Sequence, residues 1–533
     1  MTRHRTFVAT AIFVMSSPAV ASATTYQVGP ARAHKQLMTV APLLKPGDRV
    51  EVDGGATYQG GVVFDKAGTP ASPITIVGIA VGGKRPVVSG GTNTVEARAN
   101  HYVFENLDIT AGSFRCFFVH ADGITLRDSV VHDCAQHGIL GADTDAGSFL
   151  LERSEVHHCG SGTQNHQIYM SSDEVVYPAA VFRMQSSYVH DGNGGNNVKS
   201  RAGRNELYGN WIEGALYHEV ELIGSETSPE GAVREDSDVV GNVLVKKNAF
   251  FVTRFGGDGT GQTNGRYRFV NNTVVTNGGS AVFRLMDGIE SLEFHNNAFV
   301  AKSGNVALVD ESSAAWVGGT SVVVGSHNWL QTGATKVPAG LANTVMGSNG
   351  NLFASLANGD LRPASGSPLV DVGGASLAGP SGKPFPGPLA VPNLHPPLGA
   401  PPATTTGRTL VGVIDIGAYE LGGAAPAPPG TTPGTPPPLP PTSGSDAGAP
   451  GTGESAGSGA AASGGSTGAA GATESGKSGG TQNRAGANDV GGVPPLADDV
   501  GGCAITRRAP TRDAGALVLL VLAITAAVTR RRR

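Results

Sequence analysis

Two short stretches, Leu126-Arg127-Asp128-Ser129-Val130-Val131 and Leu151-Glu152-Arg153-Ser154-Glu155-Val156, decide how this chain folds. Each reads apolar, two residues, Ser or Asn, one residue, apolar. The pattern returns as Met184…Ser187…Val189, Leu207…Asn210…Ile212, Val239…Asn242…Leu244, Phe269…Asn272…Val274 and Phe294…Asn297…Phe299. Phe104…Leu107…Ile109 is an earlier turn that lacks the polar residue. The Ser/Asn positions are spaced by 25, 33, 23, 32, 30 and 25 residues, the period range of a solenoid. Within each unit the residues alternate with a period of two and are broken by Gly and Asn, so the units are strands. Parallel stacking sets equivalent residues about 4.8 Å apart. An inward Ser or Asn recurring at a bend then bonds its neighbours above and below and satisfies buried turn groups. These features predict an all-β chain, a right-handed parallel β-helix whose loops vary in length on one side of a regular core.

Outward from this core the composition changes. Of the 533 residues 78 are Gly and 34 Pro, and many of these fall between 422 and 500, a Pro/Gly/Ser/Ala-rich stretch with too few large apolar groups to order itself. That stretch reads as a disordered stalk. The net charge of -5 gives no basic excess for nucleic acid, and that partner is excluded. At the N-terminus, Arg3 and Arg5, the apolar run from Phe7 to Val14, and Ala21-Ser22-Ala23 form a secretory signal with cleavage after Ala23. The domain expected between them spans residues 24–421. Residues 501–533 hold Gly501-Gly502-Cys503, a polar spacer, an apolar run from Ala514 to Val528 that is short for a membrane span, and Arg530 to Arg533. This tail resembles the MYXO-CTERM sorting type, which implies retention in the cell envelope, cleavage, and display at the cell surface through Cys503. A permanent anchor differs only in the last step.

The repeat region resembles the pectin-lyase-like β-helix superfamily. Ala31 to Leu44, apolar every three or four residues and stopped by Lys45-Pro46-Gly47-Asp48, is expected as a short capping helix over the open end of the core. Leu361 to Pro368 and Ile414 to Glu420 resemble the closing segment of bacterial β-helix proteins. Cys134 and Cys159 both lie five positions after a ladder residue, one rung apart. They form either a disulfide or a stack of reduced thiols, with Cys116 unpaired. His132, His157 and His190 follow the ladder residues by three. They make an outward histidine stack, either a solvated polar ladder or a site for a metal or an anionic polymer.

A second strip carries most of the chemistry. Taking Ile139, Ile168, Val198, Val220, Val252 and Phe283 as inward, the next column reads Leu140, Tyr169, Lys199, Glu221, Thr253, Arg284. The column before them contains Gln167, Asn197 and Glu219, and two positions before come His137, His166, Asn196 and His218. Such a strip suits an extended polysaccharide lying along the helix axis. If the sugar is a uronate, β-elimination needs a cation on the carboxylate, a base for the neighbouring proton and an acid for the leaving oxygen. Lys199 is the expected base, Arg201 the fork on the carboxylate, and Tyr169 or His166 the proton donor. His190, His218 and Arg284 are expected substrate contacts, and Asn197, Glu219 and Glu221 are oxygen ligands suited to calcium. Gly195 to Arg201 partly resembles the Lys-Ser segment of chondroitinase-B-like and alginate-degrading lyases, which implies Lys199 as base. The Glu-x-Glu pair that precedes the Lys in that family is absent, and Glu219-Val220-Glu221 stands one rung later. Two other readings stay open. One is a hydrolase using Asp191, Glu219 and Glu221. The other is a non-catalytic β-helix that binds glycans or serves as an adhesin or spacer. Gly256 to Gly261 reads as either a calcium turn or a flexible Gly-rich loop. A monomer is expected.

Overall fold

The computed structural model describes residues 23–422, apart from 225–235, 258–264, 287, 313–315, 317–320, 386, 388, 390–391 and 400–404. The signal sequence, the stalk and the sorting tail with Cys503 lie outside the described residues, as does most of the Gly256 to Gly261 turn. Among the described residues no helix is long and apolar enough to cross a membrane.

Each coil contributes one strand to each of three parallel sheets of 13, 12 and 10 strands, and every third strand in the chain is a neighbour in space. The architecture is the right-handed parallel β-helix. Its register follows the repeat. Leu126 pairs with Leu151, then Met184, Leu207, Val239, Phe269 and Phe294 down the first sheet. Val131, Val156, Val189, Ile212, Leu244, Val274 and Phe299 do the same in the second sheet. All of these are buried in one continuous apolar core, where Phe117, Phe149 and Phe182 stack at 6.1 Å intervals.

Between the first two sheets runs the Ser/Asn ladder. The backbone N–H of Ser129 donates to Ser154 Oγ (3.2 Å), that of Ser154 to Ser187 Oγ (3.2 Å) and that of Ser187 to Asn210 Oδ1 (3.0 Å). Asn210, Asn242, Asn272, Asn297 and Asn328 continue it, each side chain accepting the previous rung's N–H at 2.8–3.0 Å. Asn328 is a further rung that the repeat did not show. The asparagines add what serine cannot: Asn242 Nδ2 donates both to Leu207 O and to Asn272 Oδ1. Every ladder side chain from Ser154 onward is fully buried.

Three expectations change. Ala31 to Leu44 forms two 3-10 turns, Leu37–Thr39 and Ala41–Leu43, in place of a helix. Pro42 removes the N–H a continuous helix needs there and disfavours helical geometry at Ala41. Leu37, Val40, Ala41 and Leu44 are still buried over the end of the core, so capping is retained without the helix. The closing segment does not stack on the far end of the solenoid. Phe353–Ser355 pairs antiparallel with Asp360–Pro363, and Leu361, Leu369, Ile416, Ala418 and Tyr419 pack on the outer face of the second sheet against Trp211, Val243 and Val275. The cysteine pairing also differs: Cys134 bonds to Cys116, with Cα atoms 5.7 Å apart, and Cys159 is the free thiol. Cys116 lies on the third-sheet strand Arg115–Val119, one coil before Cys134, so the link joins a strand to the next bend.

Asn242→Ala removes the acceptor of the Asn210 N–H inside the core. A buried unpaired donor costs about 1–3 kcal/mol. Chemical denaturation monitored by circular dichroism is expected to show a loss of that size, and a loss below ~0.5 kcal/mol would mean that the ladder is dispensable.

Candidate functional site

The third sheet positions the polar strip. Its strands Ile168–Ser171, Val198–Arg201, Val220–Leu222, Thr253–Phe255 and Ala281–Leu285 stack in that order. Ile168, Val198 and Val220 point into the core, so Tyr169, Lys199 and Glu221 stand outward in one column. Below Glu221 the column continues with Arg254 and then Arg284. The sequence alignment placed Thr253 in that column. Thr253 instead takes the inward place opposite Val220, with its Oγ1 donating to Val282 O (3.0 Å), while Val252 is buried just before the strand. Hydrophobic patterning favoured Val over Thr for the core, and the one-residue slip hid Arg254 from the site.

Lys199 is the most open of the central groups, its side chain 12% exposed, with its ammonium 3.8 Å from Glu221 and 5.1 Å from the centre of the Tyr169 ring. It has no hydrogen-bond acceptor among the described residues. Glu221 is bound instead by Arg254 Nη1 (2.8 Å) and by Asn196 Nδ2. Burial alone raises the Glu221 pKa, but Lys199, His218 and Arg254 outweigh it and hold the carboxylate well below its usual range. Tyr169 is edge-on to His166 at 5.3 Å, and its Oη accepts from Arg201 Nε (2.9 Å). Arg201 is fully buried and also donates to Gly224 O (2.8 Å). The expected fork on a substrate carboxylate is thus a support for the Tyr169 phenol. Alternation alone turned Arg201 outward, but alternation cannot show what covers that face.

Beside this column runs a second ladder. His137 Nδ1 accepts the N–H of His166 (3.2 Å), His166 Nδ1 accepts that of Asn196 (2.9 Å), and Asn196 Oδ1 accepts that of His218 (2.9 Å). Burial lowers the pKa of His137 to about 4 and that of His218 to about 3, and pushes His166 well below its usual value. All three rings are neutral at pH 7.

The calcium set is not assembled. Asn197 and Glu219 precede their strands at a bend, where the pleat no longer governs direction, and both are fully buried. Asn197 Nδ2 donates to Glu219 Oε2 (2.6 Å), and Lys246 Nζ lies 3.3 Å from Glu219 Oε1 and also bonds Ala215 O (3.0 Å) and Tyr217 O. Burial pushes Glu219 up and Lys246 down. Glu221 already serves Arg254 and Asn196. Both carboxylates are neutralised by protein cations, and among the described residues no group of three or more His, Cys, Asp or Glu is placed to hold a metal.

Two other expected residues belong elsewhere. His190 lies on the second sheet and not beside Lys199. Its ring stacks on His157 at 5.0 Å, and His157 stacks on His132 at 5.1 Å. His190 bonds Asp191 (2.8 Å) and Glu155 (3.0 Å). Asp191 is therefore on the histidine stack of the second sheet, whereas Glu221 stands on the third.

Neither protein-family profiles nor curated proteins match the sequence. Among solved structures the chain is similar to the pectate lyase Pel9A, with 13% identity, a TM-score of 0.47, and coverage of 75% of this chain and 97% of that one. It is also similar to a PL6 family polysaccharide lyase from Pseudopedobacter saltans, with 14% identity, a TM-score of 0.37, and coverage of 58% and 91%. A lacto-N-biosidase of family GH136 from Eubacterium ramulus is 12% identical at a TM-score of 0.33, with coverage of 59% and 68%. The fold assignment rests on the chain's own three sheets.

Two measurements test these contacts. Lys246→Met leaves Glu219 buried without its cation, and breaking a buried pair in this way is expected to cost about 3–5 kcal/mol in denaturation experiments. On the histidine stack, hydrogen bonding to Asp108 raises the His132 pKa to about 9. The stability this gives is complete below the unfolded value of about 6.5 and is lost as pH rises through about 9. The stability difference between the wild type and His132→Asn should therefore shrink across that window; a difference constant with pH would overturn the coupling.

Proposed function

We propose that this chain is an exported β-helix protein, held at the cell surface by the stalk and tail, that binds an acidic polysaccharide along the third sheet and cleaves it by β-elimination. The observation that carries this reading is Lys199. A lysine with a side chain only 12% exposed, paired with Glu221 at 3.8 Å but with no hydrogen-bond acceptor among the described residues, keeps its donors for an added anion. The carboxylate of a uronate fits that place. In this reading Lys199 enters as the ammonium, opposite Glu221, rather than as the base suggested by the sequence.

Neutralising the carboxylate makes the proton on the adjacent carbon acidic. Tyr169 lies next to Lys199, with Arg201 donating to its oxygen, so negative charge formed there is stabilised by two cations. The phenol oxygen, when ionised, takes the proton from the carbon. The electron pair forms the carbon–carbon double bond, the bond to the glycosidic oxygen breaks, and the phenol returns the proton to that oxygen. Arg254 and Arg284 extend the cationic column for further carboxylates along the chain. No metal enters these steps. The near-complete burial of His166 and Tyr169, 3% and 8% exposed, favours the second reading, a glycan-binding β-helix that does not turn over its ligand.

Incubating the purified protein with a panel of uronate polymers, and following the unsaturated product by ultraviolet absorbance, separates the two. Lys199→Met and Tyr169→Phe are each expected to lower kcat/KM by about 100-fold or more with the fold intact. Binding measured by calorimetry without any product would establish the second reading, and full activity in Tyr169→Phe would remove its proton-transfer role.

A further inference from the structure

The ladder beside Lys199 fixes the tautomer of each histidine in it. A ring nitrogen that accepts a backbone N–H carries no hydrogen. Neutral His137 and His166 accept at Nδ1, so both carry their hydrogen on Nε2. His218 ends the ladder and is held the other way round. Its Nδ1 is 3.1 Å from Asn196 Oδ1. That amide cannot be turned over, because its Nδ2 donates to the ionised Glu221 carboxylate, which can only accept. Asn196 therefore presents its oxygen to His218, and the His218 hydrogen must be on Nδ1. This leaves Nε2 with a bare lone pair.

That lone pair is buried and bonds nothing among the described residues. A buried acceptor left unpaired is destabilising, so its retention calls for a partner from outside the chain. The surroundings narrow the partner's chemistry. Arg254 acts on the charge of His218 from the next coil, and its own Nε is buried and equally unpaired. The Phe250 ring closes on the imidazole edge-on at 5.0 Å. A bare acceptor next to an aromatic face matches a neutral donor, and a hydroxyl group on a sugar supplies one. A carboxylate cannot donate to Nε2, and the positive charge of Arg254 disfavours an ammonium there.

We propose that His218 Nε2 accepts the hydrogen of a sugar hydroxyl, one coil along from Lys199, and so selects glycans that carry a free hydroxyl at that place. The inference rests on the reading of the third sheet as a polysaccharide site and adds to it a subsite with a defined donor–acceptor sense. His218 is a binding residue here and not a base: a ring nitrogen with a pKa of about 3 takes protons too weakly to serve as one. A sugar whose hydroxyl is acetylated leaves Nε2 unpaired and is rejected.

The test has two arms. Nitrogen-15 spectra of the free protein at pH 7 report which ring nitrogen of His218 carries the hydrogen. Hydrogen on Nδ1 is expected, and hydrogen on Nε2 or on both overturns the proposal. The second arm titrates the wild type, His218→Asn and Lys199→Met with uronate oligosaccharides, with their O-acetylated forms and with neutral oligosaccharides. Asparagine keeps a donor where Nδ1–H stands, preserving the bond to Asn196, and removes only the Nε2 acceptor. Affinity in His218→Asn should fall about 10-fold for free-hydroxyl sugars and approach the wild-type value for acetylated ones. If neutral sugars show this loss while uronates do not bind and Lys199→Met changes nothing, the hydroxyl subsite stands and the uronate reading fails. Unchanged affinity in His218→Asn, or no change at the His218 ring nitrogens with any sugar, overturns the subsite.

Discussion

The structure depends on one repeated hydrogen bond, from the backbone N–H of a bend residue to the Ser or Asn side chain one coil further on. Turning the chain at a constant place on every coil buries peptide groups that sheet pairing cannot reach. The ladder from Ser129 to Asn328 accepts those groups one after another, and its asparagines also link to each other. With the bend fixed, a coil that gains ten residues puts them in a loop and leaves the register of its strands unchanged. The polar strip of the third sheet inherits its alignment from that constancy.

On the third sheet the same ladder principle is used with other residues. His137, His166 and Asn196 each accept an N–H from the next coil, so groups that look catalytic in the sequence partly serve the backbone. This explains how the two neutral imidazoles of His137 and His166 tolerate such deep burial. It also separates the residues by task. Asn197, Glu219 and Lys246 form a closed internal unit at the bend, Arg201 is bound beneath the phenol, and Lys199 remains as the cation with unmet donors. A charged pair as buried as Glu219 and Lys246 fixes the bend before His218 in one geometry, because any slip strands a charge in the core.

The fold was legible because its signal is both chemical and periodic. Apolar residues flanking a small polar one, repeated at every bend, suit stacked coils and little else, and every register derived from them holds in the first two sheets. The third sheet was harder to read because its strands follow loops of differing length and carry polar residues on both faces. Val252 is buried in the core just before the strand and Thr253 takes the strand's inward register place, so two adjacent residues competed for one position and the alignment slipped by one. Burial of Arg201 and neutralisation of Glu219 depend on contacts between residues 22 to 32 apart, Lys246 among them, which no local pattern encodes. Cys116 was set aside for a related reason: it has no place in the bend repeat, yet its strand passes directly beside Cys134. The placement of Lys199 beside Tyr169, and of His166 in the next column, was legible because these residues lie on regular strands or at equivalent ladder positions.

The closing segment carries a geometrical consequence. Asn271 Nδ2 bonds Asp415 O (2.8 Å), the N–H of Ala418 bonds Thr273 Oγ1 (3.0 Å), and Tyr419 is buried with Trp211 and Val243. The chain therefore returns from the far end and leaves the folded coils part-way along the second sheet, a different wall of the prism from the one that carries Lys199.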